Sequence, residues 1–193
     1  MRLGRAARKQ LDELIAGAAP LEGDFFRSVA FQYFHPDDVI SGEGTRLNGG
    51  RFAPVGVKAV YASFEEETAM REVNVRKKAL GGRSQISVGD YPRMTYILSV
   101  TTRRSVDLSA ALPRELSGVV VRCLRAPRYS TSQELAAIWI AEGIESVVFP
   151  SATGAGRNVV VYLANTGARS VVVRNGDDVL AALRRPRLRK RAP

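Results

Sequence analysis

The chain has 193 residues, 45% of them hydrophobic, one cysteine, one histidine and a formal net charge of +10. That length suits one core of ordinary size, that apolar content excludes wholesale disorder, and no apolar run reaches the roughly 20 residues of a bilayer-spanning helix. Cys123 has no partner for an internal disulfide, and with His35 as the lone histidine a Cys/His metal cluster lacks ligands, so the expected site is metal-free.

The N-terminus mixes charge with Leu and Ala and offers no signal-peptide core, which predicts a cytoplasmic protein with no membrane partner. Leu11, Leu14 and Ile15 at helical spacing predict an amphipathic helix from Arg5 to Ala18, ended by Ala19-Pro20. Phe25 to Ala30 is strand-prone, whereas His35 to Gly50, rich in Gly, Asp, Ser and Asn, reads as an irregular functional loop. Lys58 to Ser63 predicts a strand. Ser63 then precedes Glu65, Glu66 and Glu67, acids suited to the positive end of a helix running to about Leu80, where Gly81-Gly82 stops it.

Met94 to Val100 alternates as a strand and Leu112 to Leu124 reads as a helix. Thr131 and Glu134 have capping-box spacing for the helix that carries Trp139, with Gly143 at its end. Ser146 to Pro150, Asn158 to Leu163 and Ser170 to Arg174 follow as strands, and Asp177 to Arg184 as a last helix. No repeat and no regular βαβ rhythm is present, which predicts a mixed α+β domain. The net charge is local: Arg184, Arg185, Arg187, Arg189, Lys190 and Arg191 lie in the last ten residues, a solvated tail able to touch an acidic partner or nucleic acid nonspecifically. A basic nucleic-acid-binding module is the reading from a different class, but no recognition motif accompanies the charge, so no specific nucleic acid is expected.

Chemistry concentrates in SGEGTRLNGGRFAPVGVKAVYAS, where glycines beside Arg46, Asn48, Arg51 and Tyr61 let backbone approach a ligand and cations face it. Such a loop suits pyrophosphate, although neither the Walker nor the dinucleotide-fold glycine spacing occurs. Arg27 in Phe-Phe-Arg, Gly49-Gly50-Arg51-Phe52, Ala59-Val60-Tyr61-Ala62-Ser63, Glu72 in Arg-Glu-Val and Ser130 ahead of Gln133 together resemble the RES-domain family, over about Phe25 to Asn165. The resemblance implies a single domain similar to the ADP-ribosyltransferase toxin fold, with residues 1–20 as a helical extension, 21–175 as the catalytic domain and 176–193 as a short helix and basic tail. It also implies a toxin neutralised by a cognate antitoxin, with NAD as substrate rather than cofactor, and phosphate, water or a protein as acceptor of the ADP-ribose.

Carried over by motif, Arg51, Glu72 and Ser130 resemble the arginine, glutamate and serine that name the family, and Arg27 and Tyr61 resemble further NAD-site positions. Ser151, in Phe-Pro-Ser-Ala-Thr-Gly-Ala-Gly-Arg-Asn, is a second candidate for the serine, together with Asn158. The family's usual Gly-Gly-Arg-Trp-Asn reads Gly-Gly-Arg-Phe-Ala here, keeping an aromatic at Phe52 and losing an amide at Ala53. A carboxylate suits this chemistry because loss of nicotinamide builds positive charge on the ribose. Structural readings stand beside these: Glu72 as a surface helix pair with Arg76, Ser130 as a helix cap, Tyr61 as core filling, and the arginines as solvated. Trp139 is expected in the core and Cys123 as an inert buried thiol. His35 carries no claim.

Overall fold

The computed structural model describes residues 3–79, 93–154 and 156–184. In chain order the elements are α1 (Arg5–Ala16), β1 (Ala19–Ala30), α2 (Pro36–Ile40), α3 (Glu43–Asn48), β2 (Ala59–Ser63), α4 (Glu66–Ala79), β3 (Arg93–Asp107), α5 (Arg114–Arg125), α6 (Ser130–Ala141), β4 (Ser146–Pro150), β5 (Arg157–Tyr162), β6 (Val171–Val173) and α7 (Gly176–Arg184). The fold is thus the mixed α+β domain that the order of patterns predicts. The expected stop at Gly81-Gly82 and the tail beyond Arg184 lie outside the described residues. No helix among the described residues is long and apolar enough to cross a membrane.

The strands form one sheet in the order β1-β2-β5-β4-β3-β6, and β1 also pairs along β3, closing five strands into a ring. Among the described residues, only β3 and β4 run parallel. Both faces are covered, which is why β5 reads as an unbroken valine run rather than an alternation. Val159 and Val161 face a cluster with Phe25, Tyr96 and Leu98, whereas Val160 and Tyr162 face the helical layer with Trp139 and Leu135. α1 joins that layer through Leu11 and Ile15, and Gln10 accepts the Leu116 N–H of α5. Each such apolar side chain contributes about 1.5–3 kcal/mol by leaving water.

Four local expectations are corrected. The stretch from His35 to Gly50 is not irregular: α2 and α3 occupy most of it, His35 caps α2 by accepting from Asp37 N, and Gly42 at φ 68° turns the chain between them. α1 ends at Ala16 and β1 begins at Ala19, six residues before the expected Phe25; the β1–β3 register slips between Ala19 and Leu21, which accommodates Pro20 without a ladder N–H. β3 continues past Val100 to Asp107: Thr102, buried with its hydroxyl on Ser146 Oγ, takes the next inward position of the alternation in place of an apolar residue. Finally, the capping box does not form: Tyr129 is the N-cap, no side chain caps the helix, and Ser132 Oγ donates back to Tyr129 O.

Candidate active site

Helical spacing puts Glu65, Thr68, Ala69 and Glu72 along one side of α4, which packs against β1, β2 and β5. That side meets the loop between β4 and β5. Three donors converge on Glu72 Oε1: Ser151 Oγ at 2.6 Å, Asn158 Nδ2 at 2.7 Å and Ala152 N at 3.2 Å. The Asn158 amide is oriented by Ser63, whose hydroxyl donates to Oδ1 at 2.7 Å, and Ser151 Oγ is bridged to Thr153 Oγ1 at 2.7 Å. Ser63, Ser151 and Asn158 are buried and Glu72 is half-buried. No cation pairs with Glu72 among the described residues, and none of their hydrogen bonds reaches Oε2.

The loop is fastened at its far end as well. Gly156, at φ 80°, sits so close to α4 that a Cβ there would lie 2.5 Å from Glu65 Oε2 and collide with Thr68 Oγ1. Arg157 N donates to Glu65 Oε2 at 3.3 Å, and its guanidinium lies 3.9 Å from the Phe64 ring centre. The loop therefore follows α4, and the geometry of Ser151 is tied to that of Glu72.

The second part of the site is the turn Gly49-Gly50-Arg51-Phe52-Ala53. Gly50 N donates to Ala53 O at 2.7 Å, and Gln133 Nε2, from α6, donates to Gly50 O at 3.0 Å. Tyr61 Oη accepts Phe52 N at 2.9 Å, and Tyr162 Oη donates to Phe52 O at 2.9 Å. A Cβ on Gly50 would lie 2.6 Å from Tyr61 Oη, so glycine is required by close packing there. Phe52 is fully buried against Trp139 and Phe149, and Ala53 is fully buried too. The aromatic face at Phe52 thus belongs to the core.

Arg51 extends to the C-terminal end of α5, where NH1 donates to Cys123 O at 2.6 Å and its guanidinium carbon lies 4.8 Å from the Tyr129 ring centre. That is where a helix dipole favours a cation. Nε and NH2 of Arg51 carry no hydrogen bond among the described residues. Arg27 enters the seam between β1 and β2, joined by a single residue pair, Phe26 with Ser63, and its NH1 donates to Tyr61 O at 2.5 Å. Tyr61 and Ser63 lie on one face of β2, two residues and so about 7 Å apart. The arginine-bearing turn, held by Tyr61, and the Glu72 group, held through Ser63, are therefore neighbours on one sheet face.

The structure brings Glu72, Ser151 and Asn158 together directly, and links Arg27, Tyr61 and the Arg51 turn through β2. Ser130 is exposed at the first residue of α6, beside the Arg51–Tyr129 contact and without a hydrogen bond to Glu72. Arg76, the supposed helix partner of Glu72, has no described side chain. Ser63, read as the entry to α4, instead ends β2 and orients Asn158; its strand parity with Tyr61 was the available signal. Gln133 enters the sequence reading only beside Ser130 and Thr153 only within the stretch around Ser151, neither with a role of its own. Burial lifts the Cys123 thiol above its ordinary 9.0 despite Arg122 and Arg51 nearby, and lifts the Tyr162 phenol well above 10.0, with Tyr61 adding to it. Among the described residues no group of His, Cys, Asp and Glu could hold a metal ion.

The RES-domain family model matches residues 25–183 of this chain. A chain of the crystal structure of the M. tuberculosis MbcT-MbcA toxin-antitoxin complex is similar in fold, with a TM-score of 0.72 and 22% identity, covering 90% of this chain and 91% of that one. No curated protein matches.

Proposed function

Because the chain belongs to the RES-domain family, we propose that it is the toxin of a toxin–antitoxin pair and that it breaks the nicotinamide glycosidic bond of NAD. The observation that carries this reading is the setting of Glu72, a carboxylate anchored through one oxygen by three neutral donors. A carboxylate already paired with a cation would be of little use to a second positive charge. This one keeps its charge for a ligand.

As the bond between the anomeric carbon and nicotinamide breaks, its electron pair goes to the ring nitrogen. The cationic ring leaves neutral and positive charge moves to the ribose. Glu72, through Oε2, stabilises that charge electrostatically, and no proton need be delivered to the leaving group. Arg51, through its unused Nε and NH2, and Arg27 hold the pyrophosphate, while Tyr61 faces the nicotinamide ribose. Ser151 is the serine of the set, because its hydroxyl fixes the carboxylate; Ser130 orients the substrate from the start of α6. Water, phosphate or a protein side chain then attacks the anomeric carbon. The neighbouring fold comes from a toxin-antitoxin complex, which supports a cognate antitoxin as partner.

The test is to incubate the purified protein with NAD, with and without inorganic phosphate, and to identify products by mass spectrometry. Release of nicotinamide is expected in at least one condition, and intact NAD in both refutes the proposal. A phosphorylated ADP-ribose, free ADP-ribose or, with labelled NAD and lysate, a labelled protein band identifies the acceptor as phosphate, water or protein.

A further inference from the structure

On the helical side of the molecule, α1, α5 and α6 bound an open groove of about 1200 Å³. Drug-sized ligands fill roughly 300–1,000 Å³ of enclosed cavity, so an open trough of this size fits a peptide segment better. Leu3, Ala7, Val119 and Val121 give it an apolar floor, and Val121 remains 41% exposed. Along one stripe of α5 stand Arg114, Gly118, Arg122 and Arg125, with Arg5 across the groove from α1. All four arginines are exposed, and none has an ion pair or a side-chain hydrogen bond among the described residues.

Unpaired guanidinium groups flanking an apolar floor are complementary to a helix that presents aliphatic residues on one face and carboxylates on its edges. We infer that this groove docks an acidic amphipathic helix of a partner protein. Nucleic acid fits it less well: among the described residues that line the groove there is no aromatic ring for a base to stack on. Ala126 lines the groove, and its carbonyl, with that of Cys123, accepts from Arg51. A docked helix therefore abuts the strap that holds Arg51, but the inference stands independently of the reaction catalysed around Glu72.

The experiment uses the full chain and a fluorescein-labelled peptide of about 15 residues, roughly 22 Å of helix, with Leu at helical spacing and Glu on both flanks. Fluorescence anisotropy should show binding with a Kd on the order of 10 μM. It should weaken at least tenfold in the double variant R122E/R125E and stay unchanged in R103E, a charge reversal on β3 away from the groove. Circular dichroism of each variant checks that it is folded. Absence of binding overturns the inference, as does equal binding of a peptide with Lys in place of every Glu. So does unchanged binding in R122E/R125E, which would assign the peptide to the basic tail, or its displacement by single-stranded dT15.

Discussion

Replacing Glu72 by Gln isolates the charge from the geometry. The amide oxygen can still accept from Ser151, Ala152 and Asn158, so the loop keeps its anchor while the negative charge disappears. A unit charge about 4 Å from a developing cation, at an effective dielectric of about 20, is worth about 4 kcal/mol. NAD already carries its positive charge on the nicotinamide ring, and from about 7 Å the same carboxylate gains about 2.4 kcal/mol in the ground state. Only the difference, about 2 kcal/mol, lowers the barrier, which sets a floor of roughly 20-fold on the loss in kcat. The ceiling, about 1,000-fold, applies if the ring lies too far away to be stabilised. Steady-state rates of nicotinamide release, read beside thermal melting, decide the matter: a Tm within a few degrees of the parent and a 20- to 1,000-fold fall in kcat are expected. A folded variant with more than half the parent rate refutes the electrostatic role.

At the other end of the loop, Gly156→Ala forces a side chain into Thr68 and Glu65 at φ 80°, a conformation that alone costs an L-residue about 1–2 kcal/mol. The loop should lift from α4, giving a lower Tm and slower nicotinamide release; parent-like values of both would contradict the tight contact. Trp139 is fully buried, yet its indole N–H has no hydrogen-bond partner among the described residues. Trp139→Phe removes that unsatisfied donor and should cost appreciably less, by urea denaturation, than the 3–5 kcal/mol usual for Trp→Ala, whereas equal costs would mean the indole nitrogen is satisfied. Stability should also depend on alkaline pH. Both Cys123 and Tyr162 have folded-state pKa values raised above their ordinary 9.0 and 10.0, so the folded protein holds protons that the unfolded chain releases. Their contribution is complete below pH 9 and is lost as pH rises from there through the folded values. Melting between pH 8 and 11 should show that decline, and Cys123→Ala should flatten its first part; a Tm constant to pH 11 would contradict the burial of both groups.

The local patterns were legible in the sequence: α1 and α5 follow from apolar spacing and the valine strands from β-branched composition, whereas the helix that carries Trp139 forms without the capping box that marked its start. β3 was half-read because its inward Thr102 is polar, satisfied by Ser146 from a strand 44 residues away, a pairing no window of sequence contains. The same limit governs the site. Its residue types and order resemble those of a family, but which serine hydroxyl reaches Glu72 depends on a loop 79 residues from the carboxylate.

The turn at Gly49–Ala53 makes the point for the family departures too. An aromatic at Phe52 and a small residue at Ala53 look like changes to a ligand surface, yet both side chains are fully buried beneath the turn. Phe52 packs against Trp139 and Phe149, and the backbone around it is bound by Tyr61 and Tyr162. What the turn offers a ligand is therefore Arg51, carried on the core through Phe52. It follows that a substitution at Phe52 should register first as lost stability, and only through displacement of Arg51 as lost activity.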